Sequence, residues 1–229
     1  MIKHKKLVRY FVSLAVIVLM VGIAGWTDEK EILFPEMVAL TIGLLIIDKW
    51  VWCVKPWQIV LLMSVGAAAG ICIVRYSPLP YFINLCLAFA FAGICLLVSR
   101  TTLIPLISAC VLPVLLHTES IVYPSAVLIM CVLAVFIQKM MEKYGFRSQI
   151  IHTPGRKPTG KDVARWGILL VFVALISLLA ISLDCPYLIL PPLMVTFAEM
   201  VNSKAGFRSR PTQVFLFLAT AATLGTVFQ

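Results

Sequence analysis

Apolar residues run through this chain in long blocks separated by short polar breaks. A helix rising 1.5 Å per residue needs about 20 apolar residues to cross ~30 Å of hydrocarbon. By that measure the pattern predicts nine membrane segments: 7–26, 32–47, 57–74, 81–98, 103–116, 121–141, 165–183, 187–201 and 212–229. The expected fold class is all-α, a polytopic transmembrane helix bundle. Segment 7–26 has the basic start and apolar core of a signal peptide. No small-x-small cleavage site precedes Thr27 and more spans follow, so it reads as a retained first helix.

Composition sharpens this. The chain is 62% hydrophobic and 13% charged, where soluble domains run nearer half and a quarter, so an ordinary globular fold is excluded. Disorder is excluded too, because it requires low hydrophobicity. The net charge of +9 is explained by placement. With the N-terminus inside, 17 of the 19 basic residues fall on the inner side, in the breaks or at the inner ends of segments, and Lys30 and Arg75 alone fall outside. The outer breaks carry Asp28, Glu29, Glu31, Glu119 and Asp184. Such a bias predicts a cytoplasmic N-terminus in a bacterial cytoplasmic membrane, with the lipid bilayer as partner and no nucleic acid. Trp26, Trp50, Trp52, Trp57 and Trp166 sit at segment ends, as interfacial anchors do.

The chain also repeats itself. A shift of 156 places Arg165 on Arg9, Leu170 on Leu14, Ala180 on Ala24, Asp184 on Asp28 and Pro191 on Pro35. With small loop adjustments Pro211-x-Gln213 meets Pro56-x-Gln58, and Gly225 meets Gly70. This predicts a six-segment repeat over 1–141, a basic cytoplasmic linker over 142–164, and a second, incomplete copy over 165–229. An even number of crossings makes the repeats parallel, related by an axis along the membrane normal. By the same logic the complete protein would be roughly 300 residues.

Candidate chemistry follows from the short segments. Segments 32–47 and 187–201 occupy matching places and open on Pro35 and on Pro191-Pro192. Proline suits the first helical position, and short proline-started helices at matching places mark the central site of many transporters. Glu36 and Glu199 lie on these segments as candidate proton-coupling or gating carboxylates; a place at the membrane interface is the alternative for each. Segment 103–116 follows Arg100-Thr101-Thr102 and carries Pro105 and Pro113, which suggests a broken or re-entrant element. Arg100 with its two hydroxyl neighbours is a candidate anion contact, or simply a topology-setting arginine. Gly66 to Gly70, echoed by Ala221 to Gly225, forms a small-residue face for helix packing. Asn84 suits an interhelical hydrogen bond.

Cys53, Cys72, Cys86, Cys95, Cys110, Cys131 and Cys185 contain no CxxC, and His4, His117 and His152 are isolated. No metal, cofactor or disulfide framework is expected. No Walker A loop, dinucleotide fingerprint or nucleophile elbow occurs, so the chain does not read as an enzyme; an intramembrane enzyme is a weaker third reading, for which no nucleophile–base pair stands out.

Pro35, Lys55-Pro56, Gly66 to Gly70 and Arg100-Thr101-Thr102-Leu103-Ile104-Pro105 stand in the order of a recurring motif series. Pro191-Pro192, Arg210-Pro211 and the span to Gly225 repeat its early part. This pattern resembles the HPP family of integral membrane proteins, some of which are linked to nitrite transport. Leu103-Ile104-Pro105 departs from it, standing where the family has His-Pro-Pro. The resemblance implies a membrane protein and a small anion as candidate solute. The reading is a secondary transporter or permease for a small solute. Its alternative is a non-transporting membrane subunit that packs on partner helices, and a homo-oligomer is left open.

Overall fold

A computed structural model of the chain describes residues 2–47, 52–149, 155–184, 189, 191–202 and 211–227. Among them the regular structure is all helical. The helices are α1 (Ile2–Thr27), α2 (Glu36–Thr41), α3 (Pro56–Tyr76), α4 (Tyr81–Ser99), α5 (Pro105–Leu116), α6 (Val122–Lys143), α7 (Gly160–Ser182), α8 (Pro191–Asn202) and α9 (Pro211–Val227). A π-helical turn, Ile42–Ile46, extends α2. Five helices, α1, α3, α4, α6 and α7, are long and apolar enough to cross a membrane. The chain is thus compatible with an integral membrane protein. The stretches Glu36–Ile46 and Pro105–Leu116 are apolar but shorter. The chain divides into two compact units, Met1–Val195 and Thr196–Gln229, and the division falls within α8.

Local chemistry sets the helix ends. Pro56 is the first residue of α3, and the Gln58 side chain accepts from the Lys55 N–H at 2.9 Å. Proline lacks the donor that a helix start leaves unpaired anyway, and the glutamine reaches back to the capping position. That explains the Pro-x-Gln pattern at this site. Arg100 and His117 follow α4 and α5 in left-handed conformations, with φ 55 and 52°. The Thr101 N–H then reaches the Leu96 carbonyl at 3.2 Å, and the Thr118 N–H that of Pro113 at 3.1 Å. Each is the six-residue closure of a Schellman end, here without its usual glycine. Asp28 and Asp184, which follow α1 and α7, are left-handed as well, with φ 56 and 50°.

The first unit is organised around α3 and α5. Gly66 of α3 faces Leu106, where an added Cβ would come within 2.5 Å of the leucine side chain. Gly70 faces the Cys110 backbone, where a Cβ would lie 2.4 Å from the carbonyl oxygen. The two helices therefore run parallel and in register, Gly66 beside Leu106 and Gly70 beside Cys110. Gly66 is the midpoint of the 21-residue α3. Hence α5 starts level with the middle of α3, and its 12 residues extend about 18 Å toward the Tyr76 end. The small-residue face of α3 is taken up inside the chain. Trp166 of α7 packs on Gly93 of α4 and tilts against Phe89, with ring centroids 6.0 Å apart.

Several contacts show which loops share an end of the bundle. Lys5 Nζ donates to the Gly145 carbonyl at 2.8 Å, and the Cys53 N–H donates to Thr102 Oγ1 at 2.9 Å. Gly155 lies against the Arg100 backbone so closely that a Cβ would sit 1.7 Å from its carbonyl oxygen. At the opposite end the Thr118 hydroxyl donates to Glu31, and His117 stacks on Tyr81 at 4.9 Å. Trp52, expected as an interfacial anchor, is buried instead, its ring covering Gly43. Trp26 and Trp57 are exposed. Trp50 lies outside the described residues.

The register of α3 on α5 is directly testable. Gly70→Ala would force backbone apart and is expected to cost about 1–3 kcal/mol. Gly22→Ala, in open space on α1, is expected to be neutral or to gain up to ~1 kcal/mol of helix propensity. Thermal unfolding of the two purified variants in one detergent checks the contrast.

Candidate functional site

Each end of a helix leaves four backbone groups without intrahelical partners. A helix that ends inside an apolar bundle must find partners for them there. The α2 segment, Glu36 to Ile46, has this difficulty at its carbonyl end, and two buried arginines resolve it. Arg9 of α1 donates through Nε to the Leu45 carbonyl at 2.6 Å and through Nη2 to that of Ile46. Arg147, just after α6, donates through Nη2 to the Ile47 carbonyl at 2.7 Å and to Gly43 at 3.4 Å. Four carbonyls of one helix end are thus held by guanidiniums from two other elements. The positive charges also oppose the negative pole of the helix dipole. Both arginines are almost fully buried, at 4% and 3% exposure. Nearby, the Ile47 N–H closes the π turn on Ile42 O at 3.0 Å, and the Thr41 hydroxyl donates back to Met37 O at 2.9 Å.

At the opposite end of α2 lies Glu36. Pro35 precedes it with φ −60°, already helical, so the carboxylate falls in the first turn. There the positive pole of the dipole favours a negative side chain. Glu36 is 5% exposed. The Ser108 hydroxyl, fully buried on α5, donates to Glu36 Oε1. The other oxygen, Oε2, is buried and receives no hydrogen bond from the protein. Ser108 lies between Leu106 and Cys110, so this carboxylate sits just beyond the middle of α3.

The wall behind it is built around a proline. Pro113 stands inside α5 and has no N–H for the carbonyl four residues back, that of Ala109. Tyr123 of α6, itself fully buried, donates its hydroxyl to that carbonyl at 3.1 Å. The Ser108–Glu36 bond therefore joins α5 to α2, and the Tyr123–Ala109 bond joins α6 to α5 one residue further along.

Of the expected site residues, the structure brings together Glu36 with the α5 helix that Pro105 starts. Pro35 is exposed, and Pro105 is buried at the first position of α5. Arg100 is exposed at the turn before it, Thr101 is buried against Ser99 Oγ at 2.8 Å, and Thr102 accepts from Cys53. Pro191 and Pro192 start α8, and Glu199 lies further along it in the second compact unit. Ala221 and Gly225 lie on α9, in that same unit. Asn84 bonds within its own region, donating to Leu79 O at 3.1 Å and accepting from Ser77 at 2.6 Å. Sequence reasoning missed Ser108, Tyr123, Arg9 and Arg147. Arg9 had a signal of its own, a basic residue inside the apolar run 7–26. Among the described residues no group of His, Cys, Asp and Glu is arranged to hold a metal ion. No protein family, curated protein or solved structure matches the chain.

Tyr123→Phe leaves the Ala109 carbonyl buried and unpaired, at an expected cost of about 1–3 kcal/mol. Pro113→Ala supplies an N–H to the same carbonyl, so the tyrosine change should cost less in that background; unfolding of the four proteins of this double-mutant cycle measures the difference. Arg9→Lys keeps the charge but loses the fork that reaches two carbonyls. It is expected to destabilise by about 1–3 kcal/mol, which detergent unfolding of the variant reads.

Proposed function

We propose that this chain is a permease or secondary transporter for a small solute. A small anion, with nitrite the first to test, is the solute class. The observation that carries the reading is the meeting of two partial helices, α2 and α5, at the buried Glu36–Ser108 pair. Short helices that meet at mid-depth, with an ionisable group between them, are how many transporters build a central site. An enzyme or a cofactor protein has no comparable support, and we assign no catalytic role. The resemblance to HPP proteins supports nitrite as the starting solute.

The basic residues favour a cytoplasmic N-terminus. Lys5, in the first turns of α1, meets at one end the loops that carry Gly145, Arg100 and Gly155, and the basic residues Lys6, Lys143, Arg156 and Lys157 lie in or beside the same region. Positive loops are retained in the cytoplasm, and we place this end there, in a bacterial cytoplasmic membrane. The repeat remains our reading of the chain's organisation. It is supported by Asp28 and Asp184, paired by the 156-residue shift and both left-handed at the close of α1 and α7. We prefer transport to the partner-subunit reading because α5 already occupies the Gly66–Gly70 face.

In this mechanism Arg100, exposed beside the start of α5, draws the anion to the cytoplasmic mouth. The α2–α5 junction receives it. A carboxylate there would repel an anion, so loading requires Glu36 to be neutralised. Transport of the anion together with a positive charge follows from that electrostatic demand.

Purified protein in sealed liposomes is expected to accumulate nitrite, nitrate or a small carboxylate faster with an imposed pH gradient than without. Empty liposomes give the background. Arg100→Ala is expected to raise the half-saturating concentration while leaving the maximal rate. Flux equal to background for every solute tried, in protein that retains its native unfolding profile, would remove the transport reading.

A further inference from the structure

We propose that Glu36 is a proton-carrying site, with Ser108 fixing one carboxyl oxygen and the proton taken up on the other. This rests on the transport reading for its role, and names the ion that neutralises the site. The geometry carries it. Glu36 Oε1 is held by the Ser108 hydroxyl, while Oε2 is equally buried and receives no donor. An ionised carboxylate at this depth is costly unless its oxygens are satisfied. What completes Oε2 is therefore an exchangeable positive partner rather than a fixed one.

The surroundings decide which partner. The elements packed on α2 are α1, α5 and α6 with the segment after it. From α1 comes Arg9, and from beyond α6 comes Arg147; both bind the carbonyl end of α2. The carbonyls they bind are seven or more residues from Glu36, about 10 Å or more along the helix. From α5 come Ser108 and Cys110, and from α6 come Tyr123 and Cys131. The hydroxyl proton of Tyr123 is committed to Ala109 O. No basic side chain thus faces the carboxylate among the described residues. A metal cation takes six or more oxygen ligands in typical hard-ion sites, and here Glu36 and Ser108 bring three side-chain oxygens together. A proton needs one oxygen, and that oxygen is present. Glu31, whose carboxylate accepts from Thr118, stands about 15 Å away along α5, at the end of the bundle opposite the basic loops.

The test uses dicyclohexylcarbodiimide, an apolar reagent that adds to protonated carboxyl groups in apolar surroundings. The full chain is treated in liposomes at about pH 6 and about pH 9, and the adduct is located by peptide mass spectrometry. We expect labelling at Glu36 that falls by about tenfold or more across this interval, as loss of the proton over a few pH units requires. Glu36→Gln removes the label. Ser108→Ala keeps it and displaces the pH midpoint, which a purely structural serine would not do. Excess sodium chloride leaves the labelling unchanged.

Glu36 unlabelled at both pH values, in protein with its native unfolding profile, would overturn the proposal. Equal labelling at both would do the same, and protection by sodium would reassign the site to a metal cation. Labelling is independent of flux, so a failed label with intact solute uptake strikes this inference alone, and a correct label without uptake strikes the transport reading alone.

Discussion

A partial helix inside an apolar bundle is possible only if its polar ends are satisfied there, and that requirement organises this molecule. The α2 segment ends with carbonyls that no following turn can use. In water they would be solvated; among Leu44, Leu45 and Trp52, all buried, they have only protein. Arg9 and Arg147 supply the donors. An arginine buried at this depth is costly on its own, and the carbonyl cluster is costly on its own. Each offsets part of the other's penalty. Because the two arginines come from α1 and from the segment after α6, the same bonds tie both to α2.

The same logic recurs in α5. Its internal proline removes a donor, and a tyrosine from α6 replaces it. Its start is level with the middle of α3 because Gly66 and Gly70 let the α5 backbone approach. Larger residues at those two positions would push α5 outward and take Ser108 away from Glu36. The small-residue face thus acts on the site at one remove, by setting the height and closeness of the helix that carries the serine.

Much of this was legible in the sequence, for reasons that can be named. The long helices follow from apolar length, and the starts of α3, α5, α8 and α9 follow from prolines that have no donor to lose. Glu36 was legible because a carboxylate inside an apolar run has few structural uses. Its partner was not. Serine and tyrosine are tolerated in spans at little cost, so Ser108 and Tyr123 give no signal without the packing that places them on α2. Arg9 and Arg147 were read as charges that set topology, a demand that every basic residue near a span end meets equally well. What separates these two is the position of the α2 carbonyls, which exists only in three dimensions. Trp52 was misread for the same reason, since a tryptophan at a span end and one folded back over Gly43 look alike in a sequence.

The two ends of α2 are therefore held by interactions of different character. The carbonyl end is bound by several charge-assisted bonds from two elements, and such bonds are short, directional and roughly twice as strong as neutral ones. The carboxylate end is bound to α5 through one hydroxyl, with one oxygen left over. A change of charge at Glu36 alters the second attachment and leaves the first in place. The arginine end is thus the more firmly tied of the two, and the glutamate end is held by fewer bonds. The π turn at Ile42–Ile46 is part of the arginine-bound end, since the Gly43, Leu45 and Ile46 carbonyls that the guanidiniums hold belong to it, and such turns are a local break in the regular hydrogen-bond ladder. One short helix thus carries a firmly tied end and a chargeable tip, and any solute-coupled movement of α2 against α5 that the proposed transport requires would act at the tip.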